Sequence, residues 1–372
     1  MFLFLIHVKI KSSGYRQKFI MFIQVNTTFS YFRNILLYCM KKLRYYIILP
    51  VLIAAVYLSG PRQDPGVVIP TLPEINFSGI NLERFVNQQE SEIKNIKEDN
   101  QARIIWYNDS LKNRTEFVVV YLHGFSASQG EGIPIHSNFA KRYGCNLYLS
   151  RLYGHGVHEK DALIDMTPEK LVESAKQALA IGKQLGEKVI LMSTSTGGTL
   201  SLYLAASHPE IYGLILYSPN IKINNSAASI LSYPWGLQIG RLFKGGKYNI
   251  SESESKEDSL YWINSYRMEA AVYLQQLLEI TIRKQTFNNV KQPVFMAYYY
   301  KNEKEQDPTV RVDAMLNMFE LLGTPDHLKM KQAFPDAGAH VIACEYKSGD
   351  WEGVQEATYR FAENILQMKK NN

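Results

Sequence analysis

The stretch Leu191-Met192-Ser193-Thr194-Ser195-Thr196-Gly197-Gly198 decides the fold of this chain. It follows an apolar run and opens a segment of helical composition, Thr196–Ser207. A serine at such a strand-to-helix junction lies on a sharp turn that lifts its hydroxyl above the sheet, and crowding requires small residues two places away on either side. Ser193 and Gly197 meet this requirement, although Ser193 departs from the strict GxSxG pattern. Ser195 is therefore a candidate nucleophile, and the alternative is a Ser/Thr-rich helix cap.

On both sides of this junction, apolar strand-like runs alternate with helical segments. The run Phe117–Leu122 is apolar throughout, which suits a strand buried on both faces of a parallel sheet. We therefore predict an α/β fold with a doubly wound, mostly parallel sheet. Residues 220–290 interrupt the alternation, and because αβ loops usually span about 2 to 6 residues, we expect a helical cap inserted after the sixth strand.

Composition excludes several classes of protein. With 372 residues, 46% hydrophobic and 20% charged, the chain is long and apolar enough for one large domain with additions. Its 3 cysteines provide no CxxC zinc spacing and no disulfide scaffold. A single Cys145–Cys344 bridge remains an open alternative.

The net charge of +6 is unevenly distributed. Residues 1–63 contain nine of the 41 Lys and Arg and none of the 35 Asp and Glu, so the remainder carries 32 basic residues and a net charge of −3. The basic excess belongs to the N-terminal segment, which argues against a nucleic-acid-binding groove and against nucleic acid as a partner.

The N-terminal segment resembles a targeting sequence. The uncharged run Tyr45–Pro61 follows Lys41, Lys42 and Arg44, and a basic flank before an apolar stretch fits a signal peptide or a short membrane anchor. We expect this segment to contact the membrane and to place the rest of the chain outside the cytoplasm, in the periplasm if the source is bacterial. One hypothesis is that the natural protein starts at Met40 and that the first 39 residues are a gene-calling extension.

A second motif, His123-Gly124-Phe125-Ser126, ends the strand Phe117–Leu122. Backbone amides in such a loop can stabilise a developing oxyanion, and the second donor would be the amide after the nucleophile. We expect the Phe125 and Thr196 amides to form this oxyanion hole and Ser126 to contact substrate. For His123 we favour a purely architectural role.

Two further positions complete a catalytic arrangement. Asp307 follows the late strand Val294–Tyr300, and His340 lies among small residues beyond the last strand. A histidine there could accept the serine proton, and an acid could hold its tautomer. We prefer Asp307 to Glu303 and Glu305 because Pro308 and a valine at position 310 stiffen and anchor its backbone. A charged surface loop is the alternative for the acid.

From about Phe117 to Met368 the chain resembles the α/β-hydrolase superfamily, most closely its carboxylesterase and monoacylglycerol-lipase-type members. The resemblance is carried by the order Ser195, Asp307, His340 and by four motifs: the HGF motif at 123–125, Arg151–Gly156, Ser193–Gly198 and Gly338–Val341. It implies hydrolysis of an ester through an acyl-enzyme, with a small-molecule ester carrying an apolar acyl group as substrate and no cofactor.

Other interpretations remain open for particular residues. Arg151 is a candidate substrate-binding residue that would steer an anionic substrate, or it pairs with an internal carboxylate such as Glu131; we favour the ion pair. His155, His158, Glu159 and Asp161 match no closed zinc site, so we predict no metal. An inactive binding module, an acyltransferase and a peptidase are the alternatives to an esterase.

These inferences divide the chain into five regions. They are the N-terminal segment 1–62, a linker with a helix and a strand 63–115, the first half of the hydrolase core 116–219, the cap 220–290 and the second half of the core 291–372.

Overall fold

The computed structural model describes residues 15–371, with side chains from residue 29 onward. The chain divides into two compact units, the first ending at Pro61 and the second running from Arg62 onward. Residues 1–14, part of the predicted N-terminal segment, lie outside the described residues.

The first unit contains helix α1, Tyr15–Leu58. Residues 1–39 have neither helical nor strand periodicity in sequence, so no helix is predicted there. The absence of glycine from 15–58 and a single proline, Pro50, nevertheless allow a continuous helix. No helix in the described chain is both long and apolar enough to cross a membrane.

The second unit is built on a seven-stranded sheet with the order β1-β3-β2-β4-β5-β8-β9. All neighbouring strands are parallel except β1, which pairs antiparallel with β3. The described strands are β1 Arg103–Ile105, β2 Thr115–Leu122, β3 Asn146–Leu149, β4 Gly186–Thr194, β5 Gly213–Tyr217, β6 Tyr248–Ile250, β7 Ser265–Arg267, β8 Val294–Tyr298 and β9 Lys329–Ala333. The predicted doubly wound, mostly parallel sheet is confirmed.

Helices cover both faces of this sheet. In the second unit they are α2 Gly79–Ser91, α3 Ile135–Tyr143, α4 Pro168–Leu185, α5 Thr196–Ser207, α6 Gly236–Lys244, α7 Lys256–Tyr261, α8 Met268–Thr281, α9 Lys284–Asn289, α10 Val312–Leu321 and α11 Trp351–Asn364. Side chains of β2 alternate between two apolar layers, with Val118 and Val120 in one and Val119 and Tyr121 in the other. Burial on both faces explains why the strand is apolar throughout.

Residues 218–293 separate β5 from β8, and we call them the insertion. The insertion follows β5, the fifth strand in chain order, so the prediction that it follows the sixth strand was wrong. The count is one lower because only one strand, β1, precedes β2 in the described chain. It also contains an antiparallel ribbon, β6 with β7, whose three-residue strands are too short to show a pattern in sequence. Helix α8 packs on α4 and α5, and α9 packs on α5 and α10.

Candidate active site

Ser195 occupies the turn between β4 and α5. Its backbone has φ 53° and ψ −116°, a combination that costs a non-glycine residue about 1 to 3 kcal/mol and recurs at functional sites. The turn is fixed by three amides that donate to the Ser195 carbonyl, those of Gly198, Thr199 and Asn220. The Ser195 side chain makes no capping hydrogen bond to the helix, so the alternative that Ser195 is a helix cap is wrong for its hydroxyl group.

Small neighbours make room for this turn. A Cβ at Gly197 would overlap the Leu122 carbonyl oxygen, so the end of β2 can approach α5 only beside a glycine. Ser193, where a glycine was expected, is accommodated because its hydroxyl accepts from Ser201 Oγ at 3.0 Å and donates to the Ile215 carbonyl at 3.4 Å. The departure from GxSxG therefore leaves no unsatisfied hydroxyl at position 193.

His340 and Asp307 form a buried pair. His340 Nδ1 lies 2.7 Å from Asp307 Oδ2, and the aspartate side chain is completely buried. The second carboxylate oxygen accepts from the Thr309 and Val310 amides at 2.8 and 3.0 Å. These backbone bonds fix the acid before α10 begins, while the Nε2 of His340 is buried and has no hydrogen-bond partner among the described residues.

The alternative acids do not reach this histidine. Glu303 accepts from the Tyr300 hydroxyl, and Glu305 pairs with Lys301, both at the surface. Asp336 lies four residues before His340 in the chain, but it is exposed and is not the carboxylate that contacts the buried histidine.

The geometry determines the protonation of His340 and Asp307. Burial lowers the pKa of His340, but the negative charge and hydrogen bond of Asp307, together with the charge of Glu131, raise it above its ordinary value. Burial raises the pKa of Asp307, but the histidine and the two backbone amides outweigh this and hold it below its usual range. The aspartate is thus ionised near neutral pH and favours the protonated imidazole.

The loop after β2 presents amides near Ser195. Neither the Phe125 amide nor the Thr196 amide donates a hydrogen bond within the described chain, which leaves both free for a ligand. His123 is buried, and its Nε2 accepts from the Leu152 amide at 3.0 Å. This bond ties the loop to the segment after β3, in agreement with an architectural role. Ser126 lies in the wall of the cavity described below.

Arg151 does not line the cavity that contains Ser126. Its guanidinium makes two hydrogen bonds to Glu90, at 2.7 and 2.9 Å, and a third to the His155 carbonyl. The favoured prediction, an ion pair between Arg151 and an internal carboxylate, is therefore confirmed, but the partner is Glu90 and not Glu131. The alternative of a substrate contact is wrong. The sequence could not reveal Glu90, because 61 residues separate it from the arginine.

The Cys145–Cys344 alternative is also excluded, since both thiols are buried and free.

A cavity of about 890 Å³ has Ser195 and His340 in its wall. The insertion supplies most of its apolar lining: Ile230, Leu231, Ile239, Phe243, Met268 and Leu274. Its volume falls within the usual range for small-molecule sites, about 300 to 1,000 Å³.

The sequence did not indicate that Glu131, which lines the cavity, belongs to the site. Glu131 is buried in the 3₁₀ turn Gln129–Gly132 and lies beside Gly124 and Ser195. A glutamate between two glycines is an available signal, but Ser195 lies in a different loop, 64 residues further along the chain.

The sheet, the insertion and the Ser195 turn together form an α/β-hydrolase fold, and comparisons with known proteins agree with this fold. The family model described as Hydrolase_4, serine aminopeptidase, matches residues 113–290. The chain resembles carboxylesterase- and monoacylglycerol-lipase-like serine hydrolases of this superfamily.

The chain is similar to individual lipases and lipolytic enzymes. A thermostable monoacylglycerol lipase of Bacillus sp. (strain H-257) is 33% identical over 112 residues, which are 30% of this chain and 44% of that protein. The match thus spans less than half of the curated relative. A structure from work on the metagenome-derived lipolytic enzymes LipS and LipT superposes with a TM-score of 0.58 at 14% identity, covering 72% of this chain and 98% of the other. The Paleococcus ferrophilus monoacylglycerol lipase gives 0.50 at 17% identity, covering 70% and 96%.

Proposed function

We propose that this protein is a serine hydrolase that cleaves a carboxylic ester through an acyl-enzyme. The observation that carries the proposal is the buried Nε2 of His340, which has no hydrogen-bond partner in the described part of the chain and shares a cavity with Ser195 while Asp307 holds Nδ1. A base oriented in this way can accept the proton of a serine hydroxyl.

The mechanism assigns each group one task. Ser195 Oγ attacks the ester carbonyl while His340 Nε2 takes its proton, and Asp307 stabilises the imidazolium that forms. The Phe125 and Thr196 amides stabilise the oxyanion. His340 then protonates the leaving alcohol, and water, deprotonated by the same nitrogen, hydrolyses the acyl-enzyme.

The cavity supports an ester with an apolar acyl group, in the class of small acyl esters, monoacylglycerols and lysolipids. Its insertion-derived lining is aliphatic and aromatic, so an alkyl chain entering it would be removed from water at a gain of roughly 0.8 kcal/mol per CH₂. The similarity to two monoacylglycerol lipases supports the same class.

Labelling with a fluorophosphonate probe tests the serine, and p-nitrophenyl esters of graded chain length test the acyl preference. We expect labelling of the wild type and none of Ser195→Ala. A folded wild-type protein that neither reacts with the probe nor hydrolyses any ester would indicate an inactive binding module. Product analysis with added alcohols separates hydrolysis from acyl transfer.

Cleavage of an amide is the second candidate. The matched family is described as a serine aminopeptidase, and Glu252 in the cavity wall could pair with an N-terminal ammonium group. Aminoacyl p-nitroanilides test this candidate directly, and turnover of these substrates faster than of every ester would favour it.

We also propose that the N-terminal segment directs export or anchoring, so that the second unit lies outside the cytoplasm. The basic flank before the apolar run supports this proposal. Fractionation of cells expressing the full chain, with and without residues 1–61, tests it.

A further inference from the structure

Glu131 is an ionisable group of the cavity that the proposed mechanism does not use. Only 2% of the residue is exposed, and its Oε2 accepts from the Gly124 amide at 2.5 Å. A side chain at Gly130 would overlap the Tyr261 ring, so the turn that carries Glu131 packs tightly against the insertion. Packing and the hydrogen bond together hold this carboxyl group in place.

This carboxyl group and the candidate nucleophile both lie against Gly124. A Cβ placed on Gly124 would be 2.9 Å from Glu131 Oε2 and 3.0 Å from Ser195 Cβ. Glu131 therefore contacts the residue that immediately precedes the Phe125 amide, and its position affects where that amide points.

We propose that Glu131 is a positioning residue of this site: its carboxylate orients the Gly124–Phe125 loop, and its negative charge adds to that of Asp307 at His340. The proposal rests on the proposed function, because it concerns the same serine, histidine and oxyanion loop.

The groups around Glu131 leave His340 as its titrating partner. Tyr121 from β2 and Cys344 from the segment after His340 face it, and burial raises the pKa of both, that of Cys344 to about 12. They remain neutral at the pH of the reaction. Burial raises the pKa of Glu131 to about 7, although the Gly124 amide, the charge of His340 and the Trp262 side chain oppose the increase.

On the insertion side, Trp262 is the neighbour of Glu131. Lys347 lies over the Trp262 ring at 5.4 Å, and its charge is paired with Asp258 at 2.8 Å. Because that ammonium group already has a carboxylate partner, it does not neutralise Glu131.

The charge matters in the step that forms the imidazolium. When the proton of Ser195 moves to His340 Nε2, the new cation is stabilised by any nearby anion. Glu131 exchanges no proton in this step, and the same proton later leaves with the alcohol. Its two contributions are the orientation of the loop and the field at His340.

The test compares Glu131→Gln, which keeps the shape and an acceptor oxygen but removes the charge, with Glu131→Asp, which keeps the charge. The readout is the pH dependence of kcat/KM with the best p-nitrophenyl ester. We expect the acid limb of Glu131→Gln to move to lower pH, because His340 loses the attraction of the ionised fraction of Glu131, and kcat to fall on the order of tenfold, because the imidazolium that forms loses the same charge. In Glu131→Asp we expect the limb to return toward the wild-type position.

Glu269→Gln is the matched control. Glu269 is also buried, but it pairs with Arg241 and Arg267 and does not line the cavity. We expect its acid limb to stay in place. Thermal unfolding of all variants checks that differences in activity come from folded protein.

A Glu131→Gln enzyme with the wild-type acid limb and kcat would overturn the proposal. Titration of the His340 ring by NMR measures the same coupling without turnover, and a lower pKa in Glu131→Gln is expected. If the wild type has no hydrolytic activity, the proposed function fails, while this titration still decides whether Glu131 acts on His340.

Discussion

Asp307→Asn is the most informative single change, because Asp307 accepts three hydrogen bonds and is completely buried. The substituted side chain has the same size. Its oxygen can still accept from the Thr309 and Val310 amides, so the loop before α10 should keep its conformation.

The consequence falls on the histidine. The asparagine NH₂ group then faces His340 Nδ1, which must offer a lone pair instead of a proton. The imidazole proton moves to Nε2, and that nitrogen can no longer accept the proton of Ser195. Loss of both the correct tautomer and the stabilising charge costs about 10⁴ in kcat in this class of mechanism, or roughly 5 kcal/mol of transition-state stabilisation.

The assay is the steady-state hydrolysis of a p-nitrophenyl ester, with thermal unfolding as the check of folding. Glu303→Gln and Glu305→Gln are the controls, because these exposed side chains lie in the same loop and contact only surface residues. We expect both to remain within about twofold of the wild type, because interactions of exposed carboxylates contribute little. An Asp307→Asn enzyme within tenfold of the wild type, or a large loss in either control, would refute the assignment.

Three further changes test the same geometry. Ser195→Ala should lower kcat by about 10⁴ to 10⁶ without changing the unfolding temperature, and substantial residual turnover would indicate another nucleophile. Gly197→Ala should lower stability by about 1 to 3 kcal/mol, because the added methyl group overlaps the Leu122 carbonyl; unchanged denaturant unfolding would contradict the tight approach of β2 to α5. Burial raises the pKa of Glu131 to about 7, above its value in the unfolded chain, so its ionisation destabilises the folded state. The free energy of unfolding of the wild type relative to Glu131→Gln should therefore decrease as the pH rises from about 5 to about 8, and parallel pH profiles would argue against a buried, titrating carboxyl group.

Local signals were enough to predict the secondary structure around the site. The sequence predicts a helix over Pro168–Leu185, and helix α4 has these bounds because Thr167 caps it, Pro168 suits its first turn and its apolar positions repeat at helical spacing. Helix α5 also agrees with its predicted bounds, since the Ser195 turn defines its start. Such signals depend on residues within a few positions of each other, and tertiary contacts do not alter them here.

Chain order likewise predicted which side chains could meet. Ser195, Asp307 and His340 each follow a strand, and their order resembles that of an α/β-hydrolase triad, so the resemblance predicted that these side chains meet at the carboxyl ends of the strands. Sequence could not supply the hydrogen bond from His340 to Asp307, nor the two backbone amides that select this acid over Glu303 and Glu305.

Only the tertiary structure decided the partners of the buried charges. Arg151 pairs with Glu90, and Glu131 lies beside Ser195; each contact joins segments that no local pattern connects. A buried charge must find an opposite charge or a hydrogen bond wherever packing brings one within reach. That choice depends on how loops from distant parts of the chain pack together, and so composition, periodicity and motif spacing carry no record of it.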